Sequence, residues 1–296
     1  MVVMTSEEGI MRELSLGEVV SKTFDLFRRG FVKYFVIFAI AEVLIGLATL
    51  LANSVVVLPP IPTNSTDLSW LPGYFAAFIE LYLIIEVVTL VVVPIAEGAA
   101  IKMAAEDIGG RPVTLGASVR FALSKLVWLW VLSLVVGIIV VLGFVALIVP
   151  GIILAIMFCL ALPALLLENT GIFASLSRSR ELVGHRWGKT FATFLVLGLI
   201  VVVISVVITL VSDLFGSVGP VVSGLLSAFY EPIFPIALTV YFFSNRARTM
   251  SPPQTGQATV GYRPAPQPGM KFCPNCGTQL PSSATFCANC GAKQPT

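Results

Sequence analysis

Four cysteines near the end of the chain, Cys273, Cys276, Cys287 and Cys290, stand as two C-x-x-C pairs separated by a short loop. That spacing reads as a four-thiolate zinc site, because each pair delivers two sulfurs from one tight turn and tetrahedral zinc joins the two turns. Gly277 and Gly291, one residue after each pair, relieve the bend. A unit of about 25 residues buries too little apolar surface to fold alone, so metal binding supplies most of its folding free energy. The competing chemistries are two disulfides, which a reducing cytosol disfavours, and a redox pair, which needs a thioredoxin-like fold larger than this segment.

The second set of reactive groups lies in apolar surroundings. Glu42, Glu80, Glu86, Glu97 and Glu231 fall inside long hydrophobic runs, where a charged side chain costs at least a few kcal/mol unless paired, hydrated or protonated. No Lys or Arg lies deep enough in a run to pair with them. They are therefore protonated, face a wet cavity or hydrogen-bond across a bundle, and Glu42, Glu86, Glu97 and Glu231 form a candidate intramembrane polar site. Two uses remain open, a proton or cation pathway and polar contacts that fix helix packing. Glu86 and Glu97 share nearly one helical face, and Glu231 precedes Pro232, whose ring opens a helix. Cys159 sits in an apolar run as a packing residue. His185, the sole histidine, stands beside Arg186 on a polar loop and makes neither a metal cluster nor a triad. No catalytic residue is identified, and the chain reads as a non-enzyme. Asn64-Ser65-Thr66 matches a glycosylation sequon of low specificity.

These groups need elements to carry them, and the composition says which. With 57% hydrophobic residues, 11% charged residues and a mean hydropathy of +0.95, the chain is built for a bilayer and leaves no room for a sizeable water-soluble catalytic domain. Run lengths predict an all-α bundle of about six spans, near 34–58, 74–101, 126–148, 152–168, 190–212 and 220–243. The turn between the third and fourth is expected at Val149-Pro150-Gly151. The N-terminus lacks the pattern of a cleaved signal. All 18 Lys and Arg residues fall before the first span, between the second and third, between the fourth and fifth, or after the sixth. The positive-inside rule then places both termini in the cytosol of a multi-pass cell-membrane protein.

Each cytosolic segment before an odd-numbered span also carries a helical stripe of its own. Ser15 and Glu18 form a capping box ahead of Leu16, Val19, Val20, Phe24 and Phe27. Thr114 takes the place of Ser15 ahead of Leu115, Val119, Ala122, Leu123 and Leu126, and Ile172, Leu176 and Val183 follow in the third. The expectation is a threefold unit of interfacial helix, span and return span. The integral membrane domain is 1–248, a Pro/Gly/Gln-rich linker 249–270 and the zinc-binding unit 271–296.

Two resemblances add to this. The stretch LGEVVSKTFDLFRRGF, the Val149-Pro150-Gly151-Ile152 turn, Pro163 to Glu168 and Ser177 to Val183 resemble the membrane domain attached to some glycerophosphoryl diester phosphodiesterases and the YciC-like integral membrane proteins, over roughly residues 10–245. That resemblance implies a multi-helix bundle and no activity, since the phosphodiesterase chemistry belongs to a separate soluble domain. The end of the chain resembles the short zinc-ribbon family, with Cys273, Cys276, Cys287 and Cys290 in the ligand positions, a module that docks partners more often than it catalyses. Nucleic acid is a poor match, because only Lys271 and Lys293 bring positive charge to the ribbon. The sequence favours a membrane-anchored interaction or scaffold protein whose ribbon docks a cytosolic protein; a transporter or channel using the glutamates is the alternative.

Overall fold

The computed structural model describes residues 10–60, 68–184, 186–250, 270–273, 278–288 and 292–293. The chain divides into two compact units, Met1–Met250 and Ser251–Thr296. Among the described residues of the first, all regular secondary structure is helical. Its helices are α1 (Leu16–Val55), α2 (Leu71–Ile108), α3 (Leu115–Ser124), α4 (Leu126–Ala146), α5 (Ile148–Phe158), α6 (Ala161–Leu167), α7 (Ile172–Gly184), α8 (Trp187–Ser212), α9 (Gly219–Ser227) and α10 (Ile233–Met250).

Among the described residues, five stretches are long and apolar enough to cross a membrane: α1, α2, α4, α5 with α6, and α8 with the turn that follows it to Gly216. The sixth expected span is not a continuous helix. Chain 219–250 forms α9 and α10, separated by turns at Ala228–Pro232, because Pro232 has no N–H to donate and its ring clashes with the preceding turn. The span before α7 breaks likewise, with Cys159 and Leu160 between α5 and α6. Here a side chain repairs the damage: Ser179 of α7 donates to the Met157 carbonyl at 2.7 Å and accepts from the Leu160 N–H at 3.1 Å.

α2 also contains a proline, Pro94, yet runs unbroken. A proline at that point deprives the carbonyl four residues earlier, Leu90, of its helical donor, and the indole N–H of Trp130 on α4 donates to the Leu90 carbonyl instead.

Two further sequence expectations are corrected. The first amphipathic stripe is no separate interfacial helix: it is the opening of the 40-residue α1, which at 1.5 Å per residue runs about 60 Å, twice the hydrocarbon thickness. Its start is the expected capping box, with the Glu18 N–H donating to Ser15 Oγ and the Ser15 N–H to Glu18 Oε2. Thr114 occupies the equivalent cap of α3 but makes no side-chain cap bond. The turn between the third and fourth spans is the single extended residue Leu147, not Pro150-Gly151. Pro150 sits in the first turn of α5, where a missing N–H costs nothing. Gly151 serves close packing, since a Cβ there would lie 2.4 Å from the Phe144 ring.

The order of short helix, long helix and interrupted helix therefore occurs twice, as α3, α4, α5/α6 and as α7, α8, α9/α10. The main core gathers Val19, Leu26 and Phe38 of α1, Met103 of α2, and Ile236 and Tyr241 of α10. Apolar residues elsewhere face outward: Val202, Val203, Val206 and Leu210 on α8 are 53–64% exposed, as expected where lipid rather than water is the solvent.

One end of this unit is tied by ion pairs. Glu168 meets Arg178 at 3.0 Å and Arg246 at 3.7 Å, and Glu13 meets Arg186 at 3.1 Å as well as Lys189. The Leu14 N–H donates to Ser244 Oγ at 2.8 Å, and Arg248 donates to the Leu182 carbonyl at 3.0 Å. These contacts fasten the segment before α1 to α8 and α10.

Candidate functional site

The carboxylates in the apolar runs are not scattered. Glu42 of α1, Glu97 of α2 and Glu231 of the turn between α9 and α10 all line one cavity of about 380 Å³. Its remaining wall is mainly apolar, with Phe38, Val93, Val201, Val202 and Phe234 among the lining residues, and Tyr230 beside Glu231.

Helix packing explains the convergence. α1 and α9 touch backbone to backbone: a Cβ on Gly46 would lie 2.9 Å from Val221 Cα, and one on Gly224 would lie 3.0 Å from both the Cβ and the carbonyl oxygen of Glu42. Small residues permit this approach, and it fixes Glu42 against Gly224, seven residues before Glu231. The Glu42 and Glu231 carboxyls face one another within hydrogen-bonding reach, and Glu97 is near enough to act on Glu231 electrostatically. Glu97 itself is half-buried and has neither a hydrogen bond nor a counter-ion among the described residues. Two carboxyls can share a hydrogen bond only when one holds a proton.

The sequence candidates thus separate. Glu42, Glu97 and Glu231 come together; Glu86 does not line the cavity, because the eleven residues between it and Glu97 carry it about 16 Å along α2. Glu80 is exposed near the start of α2. Sequence reasoning missed Gly198 of α8, which lines the cavity and has nothing within 4 Å of where a Cβ would stand. Among the described residues no three His, Cys, Asp or Glu side chains are grouped closely enough to hold a metal ion.

Outside the hydrophobic runs, two carboxyls are held ionised. Burial alone would raise Glu13, yet the hydrogen bond from Lys189 and the charges of Lys189, Arg186 and Arg248 bring it below the usual carboxylate range. Glu18 is pushed down to about 2 by its hydrogen bond from Arg12 and by the capping contacts with Ser15.

The second unit is small. Strands β1 (Met270–Phe272) and β2 (Gln279–Pro281) pair antiparallel with Lys271 opposite Leu280. The Cys273 N–H donates to the Thr278 carbonyl and the Cys287 N–H to the Ala292 carbonyl, both at 2.9 Å. The same five-residue closure therefore occurs at each cysteine pair. Phe286 bridges to Lys293 beside the second. Cys273 and Cys287 are 1% and 3% exposed and share a cluster with Leu280. Two buried thiols gathered in one cluster, one from each pair, fit a zinc ion bound by both pairs. Cys276 and Cys290 lie outside the described residues, as do His185 and Asn64.

Residues 272–294 match the family model of the zinc-ribbon domain. No curated protein and no solved structure matches the chain.

Proposed function

We propose that the membrane unit is a proton-coupled transporter whose working groups are Glu42, Glu97 and Glu231. The observation that carries this reading is the meeting of three carboxyls, from α1, α2 and an interrupted helix, in one cavity without a basic partner among its lining residues. Interrupted helices in corresponding positions of repeated segments are the usual setting of transporter binding sites, because unwound backbone offers polar groups within the bilayer. The repeat here is α3 to α6 against α7 to α10. This reading reverses the preference drawn from the sequence, which rested on the tethered zinc ribbon as the only specific chemical site.

In this reading both termini and all basic loops are cytosolic, and the resemblance of residues 10–245 to the phosphodiesterase-associated membrane domain supplies a bundle without an enzymatic role. The ribbon supports a second activity. Its family match and matching cysteine turns favour a zinc-stabilised module, with Cys273, Cys276, Cys287 and Cys290 as ligands, that docks a cytosolic protein from the end of a linker.

Solute-dependent proton movement across the membrane of liposomes holding the full chain, read with a trapped pH dye as candidate solutes are added outside, tests the transporter reading. Flux is expected in the native chain and in the 271–296 deletion, and is lost in Glu231→Gln and Glu97→Gln. Equal flux in native and Gln proteins would sink it. A pull-down in mild detergent, with and without the ribbon, tests the docking reading.

A further inference from the structure

The cavity wall carries more information than its acids. Glu97 is half-buried, has neither a hydrogen bond nor a counter-ion among the described residues, and faces a space bounded elsewhere by aliphatic and aromatic side chains. That combination is poorly suited to a bare metal cation, which needs its oxygens converging on one point at about 2.0–2.6 Å to replace its water. The wall offers three carboxyls and one phenol, and the described acids do not form a metal-binding group. A cation with its charge inside an apolar body needs no such replacement. Its charge is met by the carboxylates, with Phe38, Tyr230 and Phe234 on the wall as aromatic neighbours, and its body by the valines. At about 30 Å³ for each water-sized unit, 380 Å³ admits a solute of about a dozen non-hydrogen atoms.

The cavity also reaches the outside in a suitable direction. Val202 is 56% exposed and lines it, and Gly198, one turn earlier on α8, leaves open space where a side chain would stand. A solute dissolved in the bilayer has a route past α8.

We propose that the cavity takes an organic cation with an apolar body from the lipid phase, binding it in exchange for a proton on the Glu42, Glu97 and Glu231 cluster. This rests on the transporter reading and adds the class of solute. The exchange balances in charge: the cation enters, one carboxyl O–H bond breaks, and the proton leaves to water, with no covalent change in the solute. The titratable groups facing the site are Glu42 from α1, Glu97 from α2, and Tyr230 and Glu231 from the turn after α9. α8 contributes Gly198, Val201 and Val202 and no charge, and no Lys, Arg or His lines the described wall.

The test uses the full chain in nanodiscs of zwitterionic lipid and equilibrium dialysis of radiolabelled benzyltrimethylammonium, with empty nanodiscs subtracted. This probe is permanently charged, so any pH dependence belongs to the protein. Saturable binding is expected, tightening up to about tenfold per pH unit where one proton is displaced. Neopentylbenzene, the neutral isostere, should not compete. Glu97→Gln, Glu231→Gln and the cavity-filling Gly198→Trp should each weaken binding at least about tenfold. Gly137→Trp, on α4 in a separate apolar groove, should leave it unchanged. Thermal melting of each variant verifies folding, and the Gln isosteres decide if Gly198→Trp does not fold. Equal binding by the Gln variants, or equal competition by neopentylbenzene, would overturn the proposal. No saturable binding alongside glutamate-dependent proton flux would overturn the solute assignment and leave the transporter reading standing. Absence of both would overturn the two together.

Discussion

Replacing Ser179 by Ala removes one oxygen from α7 and exposes the cost of the break between α5 and α6. The hydroxyl donates to the Met157 carbonyl at 2.7 Å and accepts from the Leu160 N–H at 3.1 Å, and Ser179 and Leu160 are both fully buried. Without it, a buried acceptor and a buried donor lose a partner at once. Each unsatisfied group costs about 1–3 kcal/mol, and single hydrogen bonds in membrane bundles fall at the lower end of that range. Together the loss is about 2–4 kcal/mol, which for a unit of this size lowers Tm by roughly 5–15 °C. Ser205→Ala is the matched control, because the Ser205 hydroxyl is exposed and bonds only within its own helix, to the Val202 carbonyl. Its Tm should stay within about 2 °C of native. Size-exclusion thermal melting in detergent measures both. If Ser179→Ala melts with Ser205→Ala, the hydroxyl does not hold the break together and the account of the interrupted helix is wrong.

Three more outcomes follow from other contacts. Trp130→Phe strips the Leu90 carbonyl of its donor and should cost about 1–2 kcal/mol; Pro94→Ala in the same chain restores a helical N–H and should recover much of that loss, so the absence of recovery would show that Trp130 acts through packing alone. Glu13 is held below its ordinary carboxylate value in the fold, so the stability it contributes is present above its unfolded value of about 4.3 and is lost as pH falls through the lower folded value. Glu13→Gln should therefore lower Tm at pH 7 and converge with native once the pH has fallen below that lowered folded value; a deficit independent of pH would contradict the ion-pair assignment. Metal analysis of the purified chain should give about one zinc, retained in Cys159→Ser and lost when Cys273 and Cys287 are both changed to Ser, and zinc unchanged in that double variant would refute the ribbon ligands.

Much of this arrangement was legible in the sequence because the relevant signals are local. Run length gave the helices, a serine three residues before a glutamate gave the start of α1, and cysteine spacing gave the ribbon. What escaped were consequences of contacts between distant segments. Pro94 and Pro232 carry the same local signal, yet one helix continues and the other breaks, because Trp130 lies beside the first. The hinge expected at Pro150-Gly151 moved to Leu147, since Gly151 is required for the approach of Phe144. Five glutamates in hydrophobic runs looked alike, and only the crossing of α1 and α9 at Gly46 and Gly224 selects Glu42 to meet Glu231, while distance along α2 removes Glu86. Gly198 had no sequence signal at all; an absent side chain is informative only once the cavity around it is known.

The central claim is that Glu42, Glu97 and Glu231 form one proton-exchanging cluster within the bundle. Infrared difference spectroscopy of the full chain in lipid, stepped across pH, observes the carboxyl C=O stretch of protonated glutamic acid directly. The account predicts a band from carboxyls in apolar surroundings that titrates with pH, is reshaped by Glu42→Gln or Glu97→Gln because the groups are coupled, and disappears in the triple Gln variant. A spectrum unchanged by the triple substitution would contradict it, as would three independent bands that each vanish singly without altering the others.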